Sequence, residues 1–409
     1  MISFDEAERR FLALGAEIGV DAWSAERVAV DAAAGRVLAE DVCAPFDLPS
    51  FDYSAMDGYA VATASFGGGG PWTLPVLGES RTGGVLEPLV RGCACRIFTG
   101  APVPAGADAV VMQERVTRTG DQATFDAKPK AGAHIRRRGE DLASGAVALA
   151  KGTRLRAAHV GLAATCDRAW LEVARRPLVT IISTGDELRP PGSGRADGSS
   201  IPESNGVALR AMAERAGAVA RVGPIAADDR AATARAFAKA LEGCDVLVTV
   251  GGVSVGDHDW VRPALEESAV VLDFWKVAIK PGKPLLLGRR GRSIVVGLPG
   301  NPASAMITFA LFGVPLLRAL QGDRAPVASS RRVRCAGFAR SEPGRMEFVR
   351  ATLARDGAGE TWATPATNQA SGATSSLAHA DALLRVPADV TSIARGEPCE
   401  VQLLEDLGA

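Results

Sequence analysis

The strongest constraint on the fold is a regular alternation of strand-like and helix-like segments between residues 178 and 320. Short apolar runs occupy residues 178–182, 219–222, 245–250 and 293–296, and helical periodicity occupies residues 205–215, 229–241, 260–267 and 302–320. Gly217 and Gly243 follow two of these helices, where helices commonly end. Strands that alternate with helices of this length predict βαβ units and a mostly parallel sheet between two helical layers.

The rest of the chain has a different character. Ser3 and Glu6 predict a capping box at the start of an amphipathic helix whose apolar face begins at Phe4. Residues of about 42–140 are rich in Gly, Pro, Val and Thr, which indicates loops and short strands. After Gly322, short Thr- and Val-rich segments separated by turns predict a small β domain. The predicted fold class is therefore multidomain, with α/β and β parts.

Composition excludes several classes of partner. A chain of 409 residues is long enough for two to four domains, and a net charge of −1 provides no overall field for nucleic acid or an anionic membrane. The N-terminus lacks the basic and apolar regions of a secretory signal. The long uncharged stretch at residues 298–317 contains two prolines early on, and we expect a buried helix rather than a membrane span. Seven cysteines without a Cys-x-x-Cys pair, and four histidines without metal-ligand spacing, favour a reducing cytoplasm and an oxygen-liganded metal.

Three loops follow strands of the predicted sheet, where the carboxyl ends of parallel strands meet. They are the first loop (residues 183–188), the second loop (residues 251–257) and the third loop (residues 298–304). The first loop carries Asp186 and Glu187, which suit a hard cation or a ligand hydroxyl, although an acidic N-cap is the alternative. The second loop begins with Gly251 and Gly252, which suit the close approach of a phosphate. The loops together predict a metal-assisted site for a phosphorylated ligand.

The third loop is the most specific of the three. Pro302 suits the first turn of a helix, so the amide groups after it are predicted to be free to receive an anion. Gly300 permits close approach, and Asn301 and Ser304 add side-chain donors. The alternative is an ordinary tight turn from strand to helix.

The second loop also matches the Gly-x-Ser-x-Gly nucleophile elbow of α/β-hydrolases, with Ser254 as the nucleophile. A catalytic base would have to be His258 or His379. His258 is too close in sequence to fold back from a separate loop, and His379 lies in the predicted C-terminal β domain. A serine hydrolase is therefore a minor alternative.

Basic side chains outside the loops are candidate oxyanion ligands. Lys276 and Lys280 frame an apolar segment before a Pro-Gly turn, and both side chains could face one way on extended backbone. The arginine run at residues 136–138 is followed by Glu140 and Asp141, and it could close a site from another domain. The alternative for each group is a solvated surface.

Seven motifs in one order resemble the MoeA family of molybdopterin molybdenumtransferases, to which the C-terminal portion of gephyrin belongs. They are Ser54-Ala55-Met56-Asp57-Gly58-Tyr59, Thr99-Gly100-Ala101-Pro102, Arg137-Arg138-Gly139-Glu140-Asp141, Ser183-Thr184-Gly185-Asp186-Glu187, Gly251-Gly252-Val253-Ser254, Lys280-Pro281-Gly282-Lys283 and Leu298-Pro299-Gly300-Asn301-Pro302. The match extends over essentially the whole chain.

The resemblance implies a fold, a reaction and partners. It implies an elongated homodimer of four-domain subunits, with a central three-layer α/β/α domain of the molybdopterin-binding type and a small C-terminal β-barrel-like domain. The boundaries expected on this basis are residues 1–45 with 142–176 (a discontinuous N-terminal domain), 46–141 (an inserted β-rich domain), 177–327 and 328–409. The reaction implied is the last step of molybdenum cofactor biosynthesis, in which molybdate enters adenylylated molybdopterin and AMP is released. Mg²⁺ is the implied cofactor, and other biosynthetic proteins and acceptor apo-enzymes are implied partners, with no nucleic acid or membrane.

The resemblance also implies roles for individual residues. The implied catalytic residues are Asp57, Thr99, Asp141, Glu187, Asp228 and Asp259, of which Glu187, Asp228 and Asp259 would hold the metal. The implied substrate-binding residues are Arg136, Asp186, Gly251, Gly252, Ser254, Lys276, Lys280, Pro299, Gly300, Asn301, Pro302, Ser304, Arg350 and Ser371. Asp57, Thr99, Arg136 and Asp141 are expected to close the cleft from the partner subunit.

Two features keep alternatives open. Asp257-His258-Asp259 and Glu203 differ from the family's usual residues without removing a carboxylate, and they could alter the preference between molybdate and tungstate. A scaffold that binds the pterin without turnover is the alternative function, although the complete sets of carboxylates and lysines favour catalysis.

Overall fold

The computed structural model describes residues 1–22, 24–84, 87–194, 199–252 and 260–409. The chain divides into two compact units. The first unit comprises Met1–Glu40, Gly152–Arg156 and Trp170–Ala409, and the second comprises Asp41–Lys151 and Ala157–Ala169. The finer division into four domains stays a prediction.

The centre of the first unit is a six-stranded sheet. Its strands lie in the order Val219–Val222, Leu178–Ser183, Val246–Val250, Ser293–Leu298, Pro284–Arg290 and Val271–Lys276. The first four strands pair in parallel, and the last two are antiparallel. The prediction of a mostly parallel sheet is confirmed. The alternation did not predict the two antiparallel strands, which extend the sheet at one edge.

The helices of this sheet also agree with the predicted alternation. They are Asn205–Arg215, Arg230–Leu241, Val261–Glu267, Pro302–Thr308 and Val314–Leu320. The last two are joined by a π-helical turn, Phe309–Gly313, so residues 302–320 form one continuous helix. This helix is long and apolar enough to cross a membrane, but 89% of its most apolar window is buried inside the protein. The prediction of a buried helix is therefore confirmed.

The N-terminal helix, Phe4–Ala22, packs on that long helix. Its first turn is capped because the backbone N–H of Glu6 donates to Ser3 Oγ at 3.2 Å, which confirms half of the predicted capping box. The rings of Phe4 and Phe11 each lie 5.3 Å from the ring of Phe312, centroid to centroid. All three side chains are buried, and full burial of such a ring contributes about 1.5–3 kcal/mol.

A closed β-barrel follows the sheet in the first unit. Five strands form the ring, in the order Met346–Arg355, Thr361–Pro365, Ser330–Cys335, Pro398–Leu403 and Ala382–Val386, and the last pairs with the first. The short strand Ile279–Lys280 adds to Met346–Arg355 in parallel, with Lys280 opposite Glu347. The prediction of a small C-terminal β-barrel is confirmed. Shorter elements of the first unit are Ala25–Ala29, Val30–Ala32, Trp170–Ala174, Leu188–Arg189, Ile201–Pro202, Ala339–Arg340, Thr374–Ala378 and Ser392–Ile393.

The second unit is rich in β-structure, as predicted. Its six-stranded sheet has the order Ala109–Met112, Gly58–Val61, Ala94–Ile97, Trp72–Ser80, Gln122–Phe125 and Val116–Thr119. The remaining elements are the strands Val42–Cys43, Tyr53–Ser54, Ile135–Arg136 and Val147–Leu149, the 3-10 turns Thr63–Ser65 and Gln113–Arg115, and the helix Ala157–Thr165.

Candidate functional site

The three loops converge at the carboxyl ends of the central strands. A Cβ placed on Gly251 would lie 2.9 Å from the carbonyl oxygen of Thr184, and one placed on Gly300 would lie 3.4 Å from the Cα of Gly251. Gly251 also has φ +90°, which favours glycine. The first, second and third loops therefore meet backbone to backbone, and side chains larger than hydrogen are excluded at Gly251.

The carboxylates of the first loop lie at the open surface. The backbone N–H of Asp228 donates to Asp186 Oδ1 at 3.1 Å, so these two acidic residues are neighbours. The Glu187 carboxylate folds back over Gly185, because a Cβ on that glycine would lie 2.5 Å from Glu187 Oε2. Asp186, Glu187 and Asp228 are all exposed. Exposed carboxylate oxygens suit a hard divalent cation.

The predicted metal site is only partly within the described residues. The third predicted metal ligand, Asp259, lies outside them, as do Ser254 and His258 of the nucleophile elbow. In the described part of the chain, no group of three or more His, Cys, Asp or Glu side chains is arranged to hold a metal ion.

The third loop begins a helix at Pro302, as predicted, but its amide groups are not free. The backbone N–H groups of Ala303 and Ser304 donate to the carbonyl oxygen of Ser371, at 3.0 and 3.3 Å. The next amide, of Ala305, donates to Asn301 within the helix. The prediction that these amides receive an anion is wrong in this respect, because a segment far along the chain already occupies them. The same contact brings Ser371 to the third loop.

Arg350 anchors the segment that carries Ser371. The residue is 1% exposed, and its guanidinium donates to the side chain of Gln369 and to the carbonyl oxygens of Ala370 and Ala373, at 3.0–3.1 Å. Burial lowers the pKa of the Arg350 guanidinium, and among the described residues no carboxylate compensates its charge. A buried cation that is bonded only to neutral oxygens is an attractive position for an oxyanion.

Lys276 and Lys280 make different contacts. Lys276 Nζ lies 5.1 Å from the centroid of the Trp275 ring, as in a cation–π contact. Lys280 Nζ lies 3.1 Å from Oε1 of Glu347, a carboxylate that is 5% exposed. Lys280 thus enters the site with its charge partly compensated.

The candidate residues of the second unit form their own network. Asp57 Oδ1 accepts from both the backbone N–H and the hydroxyl of Thr99, at 2.7 Å each. The backbone bond has the larger effect and the hydroxyl bond the next, and together they hold the pKa of Asp57 below its usual range. Arg136 is paired with Glu140 at 3.0 Å, and the backbone N–H of Asp141 donates to Leu48.

Two residues outside the predicted set of site residues hold the loops together. The Glu203 carboxylate is 4% exposed, and its Oε1 accepts from the Ser183 hydroxyl at 2.9 Å and from the backbone N–H of Gly206 at 2.7 Å. Asn205 Nδ2 donates to the carbonyl oxygen of Gly300 at 2.9 Å. The Glu-Ser-Asn motif was a possible signal, because two polar residues immediately before a helix often bond to nearby backbone.

Comparison with known families divides the chain into three matched regions. Residues 2–166 match the MoeA N-terminal region (domains I and II), residues 180–319 match a probable molybdopterin binding domain, and residues 332–404 match the MoeA C-terminal region (domain IV). The class is therefore a multidomain protein built around an α/β domain of the molybdopterin-binding type.

Similar proteins cover most of the chain. A molybdopterin molybdenumtransferase of Haemophilus influenzae is 40% identical over 71% of this chain and 72% of its own length. The molybdopterin molybdenumtransferase 2 of Mycobacterium tuberculosis is 37% identical over 90% of this chain and 92% of its own length. The crystal structure of the moeA protein from Pyrococcus horikoshii has a TM-score of 0.85 at 30% identity, and covers 98% of this chain and 100% of that one. The chain belongs to the MoeA family, which confirms the resemblance.

Proposed function

We propose that this protein is a molybdopterin molybdenumtransferase, which inserts molybdate into adenylylated molybdopterin and releases AMP in the last step of molybdenum cofactor biosynthesis. Relatives that carry this enzyme name align with nearly the full chain. The observation that carries the proposal is the convergence of three elements: the strand-end loops, the exposed carboxylates beside them, and Ser371. Arg350 holds the segment of Ser371 at the start of the helix Pro302–Thr308.

The oxyanion part of the site consists of four side chains in this proposal. Arg350 and Ser371 come from the barrel region, and Lys276 and Lys280 come from the segment beside it. Arg350 supports the role best, because it is a buried cation without a described carboxylate partner. Lysine and arginine groups that hold molybdate also reduce its repulsion from the phosphates of the second substrate.

The loops form the other part of the proposed site. Gly251, Gly252 and Ser254 of the second loop lie against the ligand's phosphates in this proposal, with residues 299–302 and Ser304 of the third loop beside them. The amide groups of Ala303 and Ser304 take no part, because they donate to Ser371. Close backbone approach at Gly251 supports this role, because a Cβ there would lie 2.9 Å from the carbonyl oxygen of Thr184. Asp186 orients the pterin.

Mg²⁺ is the proposed cofactor, held by Glu187, Asp228 and Asp259. The donor set fits, because Glu187 and Asp228 offer exposed carboxylate oxygens near the first loop, and Mg²⁺ prefers oxygen ligands. When bound, the ion neutralises charge on the phosphoanhydride and on the departing AMP.

The remaining parts of the proposal concern assembly. We propose a cytoplasmic homodimer whose subunits have the four-domain division given above, and in which Asp57, Thr99, Arg136 and Asp141 of one subunit close the cleft of the other. Contacts with other cofactor-biosynthesis proteins and with acceptor apo-enzymes belong to the same proposal.

Reconstitution tests the function directly. Purified protein, adenylylated molybdopterin, Mg²⁺ and molybdate should release AMP, measured by chromatography, and omission of molybdate should abolish the release. Glu187→Ala and Asp228→Ala should each reduce the rate at least tenfold, whereas Glu242→Ala, an exposed carboxylate at the far end of Arg230–Leu241, should not. Pterin binding without AMP release by the wild-type protein would favour the scaffold alternative.

A further inference from the structure

The Lys280–Glu347 pair joins a buried carboxylate to an exposed lysine. Glu347 is 5% exposed, whereas the Lys280 side chain is 44% exposed and reaches solvent. Lys280 Nζ contacts Oε1 at 3.1 Å, and Oε2 is buried without a hydrogen-bond partner in the described structure. Among the described residues, Lys280 is therefore the one polar partner found for the Glu347 carboxylate.

The backbone fixes this pair before any ligand binds. Ile279–Lys280 adds in parallel to Met346–Arg355, with Lys280 directly opposite Glu347, and the backbone N–H of Met346 donates to Ala278 at 2.9 Å. Neighbouring residues on paired strands project to the same side, so the ammonium and the carboxylate are held together by register. A single, rigid carboxylate thus opposes the charge of Lys280.

We propose that Glu347 weakens the binding of free oxyanions at Lys280. This inference rests on the proposed function, because it assigns Lys280 to the oxyanion part of that site. Lys280 and Glu347 together carry no net charge, so a free oxyanion gains little from Lys280 alone. Free molybdate, sulfate and phosphate are therefore all expected to bind weakly at Lys280 unless other contacts contribute.

The size of the effect follows from the geometry. An oxyanion bound to Lys280 Nζ lies about 3 Å from it, and hence about 6 Å from the Glu347 carboxylate. Even at the dielectric constant of water, one negative charge at about 6 Å from a dianion lowers its binding roughly tenfold. Glu347 also orders the lysine, which favours binding, but a glutamine keeps the oxygen that accepts from Nζ. Glu347→Gln therefore removes the repulsion and retains most of the ordering.

Calorimetric titration of the full-length protein with sodium sulfate, and separately with sodium molybdate, tests this inference. Glu347→Gln should bind both anions about tenfold or more tightly, and the gain should shrink as ionic strength rises. Glu347→Leu, which lacks the accepting oxygen, should gain less than Glu347→Gln. Glu400→Gln, which changes an exposed carboxylate on another barrel strand, should leave both affinities unchanged.

The outcomes separate this inference from the proposed function. Unchanged or weaker binding by a folded Glu347→Gln variant would overturn the role of Glu347, even if the wild-type protein releases AMP. Tighter binding by that variant, with no AMP release by the wild-type protein, would support the role of Glu347 and count against the transferase. In the variant, sulfate should also inhibit AMP release at concentrations about tenfold lower than in the wild type.

Discussion

Replacement of Arg350 by lysine tests how the barrel supports the third loop. Lysine keeps the positive charge but not the planar fork that reaches Gln369, Ala370 and Ala373 at once. We expect about two of the three hydrogen bonds to be lost. Hydrogen bonds to charged groups contribute about 1.5–3 kcal/mol each to stability, but the carbonyl oxygen of the exposed Ala370 can bond to water instead. The free energy of unfolding should therefore fall by about 2–4 kcal/mol.

The loss should be visible at a distance from the substitution. The Arg350 bonds order the segment whose Ser371 carbonyl accepts from the amides of Ala303 and Ser304. Hydrogen exchange followed by mass spectrometry should therefore show faster exchange at residues 303 and 304 in Arg350→Lys. A local destabilisation of about 2 kcal/mol corresponds to roughly thirtyfold faster exchange.

Arg355→Lys is the matched control, because Arg355 lies on the same strand and is exposed. It should leave the denaturation midpoint and the exchange rates unchanged. Wild-type exchange at residues 303 and 304 in Arg350→Lys would refute the claim that this guanidinium holds the Ser371 segment. Full retention of molybdate affinity in that variant would show that only the charge matters.

Three further changes probe the core, a close backbone contact and the pH response. Phe312→Ala should lower the free energy of unfolding by about 3–5 kcal/mol in denaturant titration, because it opens a cavity between the Phe4 and Phe11 rings, and a loss below 1 kcal/mol would contradict the packing described. Gly58→Ala should lower the free energy of unfolding by roughly 3 kcal/mol, because the new Cβ would lie 2.0 Å from the Val111 carbonyl oxygen. Gly67→Ala, whose new Cβ would meet no atom within 4 Å, should leave the free energy of unfolding unchanged in the same assay. Thr99→Val should raise the pKa of Asp57 towards its ordinary value of about 3.9, measured by NMR titration, because one of two hydrogen bonds is removed. Because the pKa of Asp57 is lowered in the folded protein, the stability that this carboxylate contributes is present above its unfolded pKa and is lost as pH falls through its folded pKa. Thr99→Val should lose that stability at a higher pH than the wild type. An unchanged pKa of Asp57 would refute the role of the Thr99 hydroxyl bond.

The central alternation was predictable because its signals are local. The apolar runs at residues 178–182 and 293–296 lie inside observed strands, and Asn205–Arg215 has the predicted bounds. These segments are buried on both faces or along one stripe, so hydrophobic periodicity reports them directly. The antiparallel strands Val271–Lys276 and Pro284–Arg290 gave a weaker signal. Val271–Lys276 lies at the sheet edge, and the exposed Asp273 breaks its apolar run.

The contacts of the candidate site were less predictable because they depend on tertiary structure. Pro302 correctly predicts the start of a helix, since its effect on the first turn is local. The Ser371 carbonyl that occupies the following amides belongs to a segment beyond the sheet, and no local pattern indicates it. The pairing of Lys280 with Glu347 likewise depends on a strand that joins the barrel.

Most of the candidate anion-binding groups are already paired with other groups of the protein, and this bears on how the proposed reaction binds its substrates. Several donors and cations that the sequence offers for anions already have protein partners. The helix amides donate to the Ser371 carbonyl oxygen, Lys280 pairs with Glu347, and Arg136 pairs with Glu140. Arg350 differs, because its described partners are neutral oxygens. A site with compensated cations binds a free tetrahedral anion weakly, so most of the binding energy must come from contacts with the larger pterin substrate. The same compensation weakens the binding of free sulfate and phosphate, which have the same shape and charge type as molybdate.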